Sequence, residues 1–224
     1  MIAAAAALLG ACLVVFLRSA GIFGNGGIRP RLIAAAALWL VAGGACWLAL
    51  HQQGFDAARA GFFTIGWAQL GYGFLFGVLA LVSFPLYVLI TSKLGGEPPQ
   101  TDTLATIASA SLPQRLFLLC TAAGAEELIF RAVAIGGLMA AGVNHAAAVA
   151  VPLVVFVLLH RASWGLVHLA FVTIVGMLMT AAFLYGGLWA AILAHFIVDA
   201  PLMLAGKALS ARGNGNQAVK TGRE

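Results

Sequence analysis

The sequence predicts an all-α protein, a polytopic transmembrane bundle of about seven helices with six to eight as the bounds. Two observations carry this. Of 224 residues, 62% are hydrophobic and 8% are charged, where soluble globular domains carry about 25% charged residues. The few charges are also spaced so that uncharged runs of roughly 20 residues lie between them, the length that crosses a bilayer core. A third observation concerns function. Three of the seven acidic residues, Glu126, Glu127 and Asp199, fall inside those apolar runs, where insertion costs roughly 2.5–3.5 kcal/mol for an Asp or Arg at a helix centre.

The runs follow in order. Met1 to Leu17 makes a short first helix, stopped by Arg18 and the turn-rich Gly21-to-Pro30 segment. Leu9-Gly10-Ala11-Cys12 looks like a lipoprotein cleavage box, but no basic residue precedes it and hydrophobicity continues to Leu17, so the helix is expected to be retained. Leu32 to Leu50 is the second helix. The charge-free stretch Ala60 to Ser92 gives an interfacial lead-in and a third helix ending at Lys93. Gly95 to Ser111, with Glu97, Pro98, Pro99 and Asp102, is the polar loop. The fourth helix runs from about Arg115 to Met139, and Gly142 and Asn144 make the next turn. A fifth ends near His160, and a sixth spans about Gly165 to Leu184. Tyr185-Gly186-Gly187 turns into a seventh, which ends by Gly206. The rest, rich in Gly, Asn and Lys, reads as a disordered tail.

This order divides the chain into N-terminal transmembrane helices and a cytoplasmic loop (1–110), a helical core (111–206) and a disordered cytoplasmic tail (207–224). Arg18, Arg29, Arg31, Lys93, Arg161 and the tail cations fall on one side and only Arg59 on the other, which by the positive-inside rule puts the N-terminus outside and the C-terminus in the cytoplasm. The net charge of +5 therefore reflects membrane orientation, and no nucleic-acid partner is expected. Cys12, Cys46 and Cys120 are far apart in apolar runs, without a CxxC, and read as packing residues.

The buried polar residues group by spacing. Glu127 and Arg131 share a helix face, with the acid preceding the base, the favourable order. Glu126 points elsewhere around the helix and lacks that partner; a carboxylate so placed can serve as a general base. Taken alone, His160 reads as an interfacial or capping histidine. His195 and Asp199, four apart on the seventh helix, make a stronger pair, because a buried imidazole wants a partner that sets its tautomer. His168 reads as a packing or interfacial residue that could substitute for His160. His145 belongs to a turn, and His51 and Arg59 flank an outer loop.

In sequence order the set is Glu126-Glu127-x-x-x-Arg131, Phe156-x-x-x-His160 and His195-x-x-x-Asp199. It resembles the signature of the CPBP intramembrane proteases, which include type II CAAX prenyl endopeptidases and bacteriocin-processing enzymes of the Abi family. The likeness covers about Leu116 to Leu204 and includes Gly186-Gly187-Leu188-Trp189. It implies a glutamate-type intramembrane endopeptidase in which Glu126, assisted by His160, activates water. His195 and Asp199 would stabilise the oxyanion, and Glu127 and Arg131 would hold the first motif in shape. Asp at 199, where the family has Asn or Asp, raises a chemical difficulty, since an ionised carboxylate cannot donate to an oxyanion; orienting His195 is the role that avoids it. The resemblance implies a peptide or protein substrate, lipidated or not, in contact with membrane lipids, and an Ala-rich chain of this length suggests a bacterial inner membrane.

No cofactor is expected. A zinc variant would use Glu126, His160 and His195, the two-histidine, one-carboxylate set of catalytic zinc, although no H-E-x-x-H occurs. Two other classes compete: a non-catalytic scaffold or immunity factor that uses the polar cluster as a clamp, and a proton-coupled transporter. Against transport stands the lack of a repeated half.

Overall fold

The computed structural model describes residues 1–93, 101–164 and 168–221, and among these it is helical with no strand. Helix α1 is Ile2–Ser19, α2 is Arg29–Leu50 and α3 is Trp67–Lys93. A short helix, α4, occupies Thr101–Ser109 within the stretch expected as a loop; Ile107 and Ala108 give it a buried side, and it packs against the last helical segment. The rest of that loop, residues 94–100, lies outside the described residues. The Glu-bearing helix, α5, is one continuous rod built from Leu112–Cys120, two π-helical stretches (Thr121–Glu126 and Leu128–Ile135) and Gly136–Ala140. Helix α6 is His145–Trp164. The expected start of the sixth membrane helix, residues 165–167, lies outside the described residues.

The final stretch, His168–Thr221, is broken at Gly187, whose φ of 75° and ψ of −169° no helix contains. We treat 168–186 as α7 and 188–221 as α8. Its apolar part alone, His168–Pro201, is 34 residues, or roughly 50 Å at 1.5 Å per residue, too long for one crossing of about 30 Å. Contacts with α3 show the reversal. Along α7, Tyr185 stacks near Tyr72 while Phe171 meets Phe84, an antiparallel register. Along α8, Gly73 abuts Ala190 and Gly77 abuts Ala194, a parallel one. Among the described residues, seven longer helices and the short α4 therefore make up the bundle. Helix α8 continues to Thr221 through the segment expected as a disordered tail, whose last residues, 222–224, lie outside the described residues.

Small residues set the packing. Cβ atoms added at Gly73 and Gly77 would come within 2.9 Å of α8, so this Gly-x-x-x-Gly seam brings two backbones together as small residues do in membrane helices. Ala3, Ala7 and Ala11 of α1 are buried with Ala42, Ala45 and Ala49 of α2. The loop between α2 and α3 caps the break: Leu188 N–H donates to Ala60 O at 3.2 Å and Trp189 Nε1 donates to Phe62 O at 3.1 Å, satisfying one of the backbone donors a helix start leaves open.

Candidate active site

The π-helical winding begins where the local chemistry loosens an α-helix. Thr121 Oγ1 donates to Phe117 O at 2.8 Å and accepts from Trp39 Nε1 of α2 at 3.0 Å. A hydroxyl on the i−4 carbonyl competes with the backbone ladder, and Ala122, Ala123, Gly124 and Ala125 leave room for a wider turn. The Trp39 ring fills that room at Gly124, where an added Cβ would lie 2.8 Å from it. Single π-turns gather at functional positions, and here one stretch ends on Glu126 while the next begins just after Glu127.

Glu127 and Arg131, expected to neutralise each other, do so in full burial: Arg131 Nη1 donates to Glu127 Oε1 at 2.9 Å with side chains 2% and 0% exposed. Arg131 is further held by Gly176 O of α7 at 3.2 Å, and its guanidinium lies 4.5 Å above the Phe156 ring of α6. One side chain thus ties α5, α6 and α7 together.

The same Glu127 oxygen lies 2.6 Å from His195 Nδ1 on α8. A carboxylate only accepts, so Nδ1 of His195 bears a proton, and Nε2 lies on the other side of the ring. Asp199 Oδ2 is 3.5 Å from that Nε2, beyond a good hydrogen bond. The close acid at His195 is therefore Glu127, a link between two motifs that sequence spacing did not reveal because it joins residues 68 positions apart.

His160 Nδ1 lies 2.8 Å from Phe156 O. A carbonyl also only accepts, so Nδ1 holds the proton and Nε2 is the free nitrogen. Glu126, His160, His195 and Asp199 all line one cavity of about 540 Å³, together with His168. Glu126 is half-buried against this space, and among the described residues its Oε2 is enclosed with no hydrogen-bond partner. His168 is buried, with its ring edge-on to Tyr87 and tilted against Phe171, which fits the packing role expected of it while placing it on the same wall. Among the described residues no group of three or more His, Cys, Asp or Glu side chains is placed to hold a metal ion. His145 stands apart, beside a separate space lined by Asp56 and Arg59.

This arrangement of a carboxylate with one enclosed, unpartnered oxygen, two imidazoles each held at Nδ1 and a buried ion pair coincides with a family match. Residues 108–201 match a family described as type II CAAX prenyl endopeptidase Rce1-like. That segment is Rce1-like. It agrees with the CPBP resemblance, contains all seven motif residues and leaves out α1 to α3. Comparison with curated proteins and with solved structures returns no match. The Rce1-like match indicates an intramembrane protease acting on a peptide or protein substrate. Together with four helices long and apolar enough to cross a membrane, it supports an integral membrane protein.

Proposed function

We propose that the protein is a glutamate-type intramembrane endopeptidase of membrane-associated peptides, lipidated CAAX-like substrates or peptide leaders. The observation that carries this reading is the meeting of Glu126, His160, His195 and Asp199, from three helices, on one cavity inside an apolar bundle. Groups this costly in lipid are kept where they line a shared space.

In the reaction, Glu126 accepts a proton from water as the water oxygen attacks the scissile carbonyl carbon. His160 offers Nε2 to the same water's second hydrogen, its Nδ1 being committed to Phe156 O. Negative charge develops on the carbonyl oxygen, and His195 donates to it as the imidazolium, one N–H held by Glu127 at Nδ1 and the second, on Nε2 beside Asp199, given to the oxyanion. The tetrahedral species collapses with cleavage of the C–N bond, and Glu126 returns its proton to the leaving amine. Arg131 keeps Glu127 charged and in place. No step requires a metal. Residues 111–206 form the catalytic core, 1–110 the flanking helices and loop, and 207–224 a cytoplasmic tail, in a bacterial inner membrane with the N-terminus outside.

The test is cleavage of a farnesylated, fluorescently labelled CAAX peptide by the purified protein in lipid nanodiscs. Glu126→Gln should reduce turnover by roughly 10³-fold or more while membrane abundance stays constant, within the range that a positioned acid–base group contributes. Undiminished cleavage by that variant would remove Glu126 from the mechanism, and a scaffold or clamp would tolerate the change altogether.

A further inference from the structure

Helices α1 and α2 lie outside the Rce1-like segment, yet they supply part of the cavity wall: Arg18 from α1, and Arg31 and Leu38 from α2. The residue after Leu38 stands in an unusual place for a membrane tryptophan. Of the five tryptophans in the sequence, four are at or near helix ends: Trp47 close to the end of α2, Trp67 at the start of α3, Trp164 at the end of α6 and Trp189 at the start of α8. An amphipathic indole belongs there, at headgroup level. Trp39 is instead the eleventh of the 22 residues of α2, roughly 15 Å from either end and near the middle of a bilayer. At that depth an indole N–H without a partner is costly.

The partner is Thr121, on the helix that carries both glutamates. An indole only donates, so the Thr121 oxygen accepts from Trp39 and its own proton goes to Phe117 O. The hydroxyl is thereby held at the point where α-winding ends on Cys120 and the π-stretch Thr121–Glu126 begins. Glu126 stands five residues on, one π-turn beyond Thr121; five residues of α-winding would aim its carboxylate elsewhere. The indole ring braces the same turn at Gly124, where a side chain would collide with it. Thr121 and Glu126 line the cavity, and Trp39 does not.

We infer that Trp39 is a positioning residue: from a helix outside the Rce1-like segment, its N–H and its ring pin the π-turn that aims Glu126 into the cavity. This rests on the endopeptidase reading and names what holds its general base. Trp39 touches no reacting atom, and its effect passes through Thr121 and Gly124. A displacement on the order of 1 Å at a catalytic group costs about 10²-fold in rate.

The experiment follows kcat, KM, thermal midpoint and hydrogen exchange of the amides of 121–127 in the full chain in lipid nanodiscs, with the farnesylated CAAX peptide as substrate. Trp39→Phe removes the N–H and keeps a ring. Thr121→Val removes the hydroxyl and keeps the shape. Each should lower kcat per folded molecule on the order of 10- to 100-fold with KM nearly unchanged, and speed exchange at 121–127 while α1 keeps its protection. Thr121→Ser retains the hydroxyl and should keep kcat close to that of the parent. Both changes break one contact, so the double variant should be no slower than the slower single one. Parental kcat in Trp39→Phe overturns the inference, as do effects that multiply in the double variant or a Thr121→Ser as slow as Thr121→Val. A lowered midpoint with unchanged kcat in the protein that stays folded assigns Trp39 to helix packing and also overturns it. So does a raised KM with kcat retained, which moves Trp39 to substrate binding. If Thr121→Val fails to fold, Trp39→Phe decides alone. Exchange is read without cleavage: a parent protein that hydrolyses nothing refutes the protease reading, and the pin then stands if Trp39→Phe speeds exchange at 121–127 and falls if it does not.

Discussion

Glu127 Oε1 is shared by Arg131 at 2.9 Å and His195 at 2.6 Å, so one buried oxygen serves both stability and the orientation of the imidazole. Removing one partner of a buried pair leaves an uncompensated charge and costs about 3–5 kcal/mol. Arg131→Met should therefore lower the thermal midpoint sharply and deplete folded protein in membranes. Glu127→Leu combined with Arg131→Met removes both charges and should recover most of that stability, yet stay inactive because His195 has lost its anchor. A double variant that folds and cleaves at the parent rate would show that Glu127 contributes nothing to His195. Position 199 gives a graded comparison. Asp199→Asn keeps a polar group of the same size beside His195 Nε2 and should retain much of the activity, while Asp199→Ala should lose about 10²-fold, the scale of a lost oxyanion contact. Equal, near-complete loss in both variants would make Asp199 a base or a ligand instead.

At the scale of elements, the π-helical winding of α5 and the break at Gly187 determine where the residues point. The wider turns around Glu126 depend on the Thr121–Trp39 contact and on a run of small residues, and neither leaves a periodic trace in the sequence. Gly187 has a φ of 75°, and a Cβ there would meet Gly61 Cα at 2.9 Å. Gly187→Ala combines a left-handed backbone, costing about 1–2 kcal/mol for a residue with a Cβ, with a backbone clash that no rotamer relieves. It should lower the thermal midpoint in detergent and reduce cleavage through displacement of α8, which carries His195. An unchanged midpoint would mean that the loop at Gly61 yields freely.

For the whole molecule, the decisive feature is that carboxylate and imidazole groups meet inside a bundle whose outer surface is apolar. The proposed activation of water by Glu126 and His160 needs no metal, so on that proposal cleavage should persist in excess chelator; loss on chelation with recovery on adding one equivalent of zinc would transfer the reaction to a metal held by Glu126, His160 and His195. Orientation is tested separately: a fluorescent fusion at the C-terminus should mature in the cytoplasm, and an engineered cysteine beside Met1 should react with an impermeant reagent from outside. The opposite labelling pattern would turn the cavity and its arginines toward the other face.

What the sequence determined by itself is the set of membrane helices, their order and the three motifs, since apolar run length and the positions of Glu126, His160 and His195 are local properties of the chain. Helical spacing also identified the Glu127–Arg131 pair, which a wider turn preserves at four residues' separation. The tertiary structure alone decided that His195 leans on Glu127 more closely than on Asp199, that α4 forms within the loop, and that Arg18 and Arg31 share a cavity with the motif residues. The physical reason is that periodicity defines a face within one helix, while the rotation of one helix against the next is set by close approach at small residues such as Gly73, Gly77 and Gly124, and that information is spread over pairs of elements far apart in the chain.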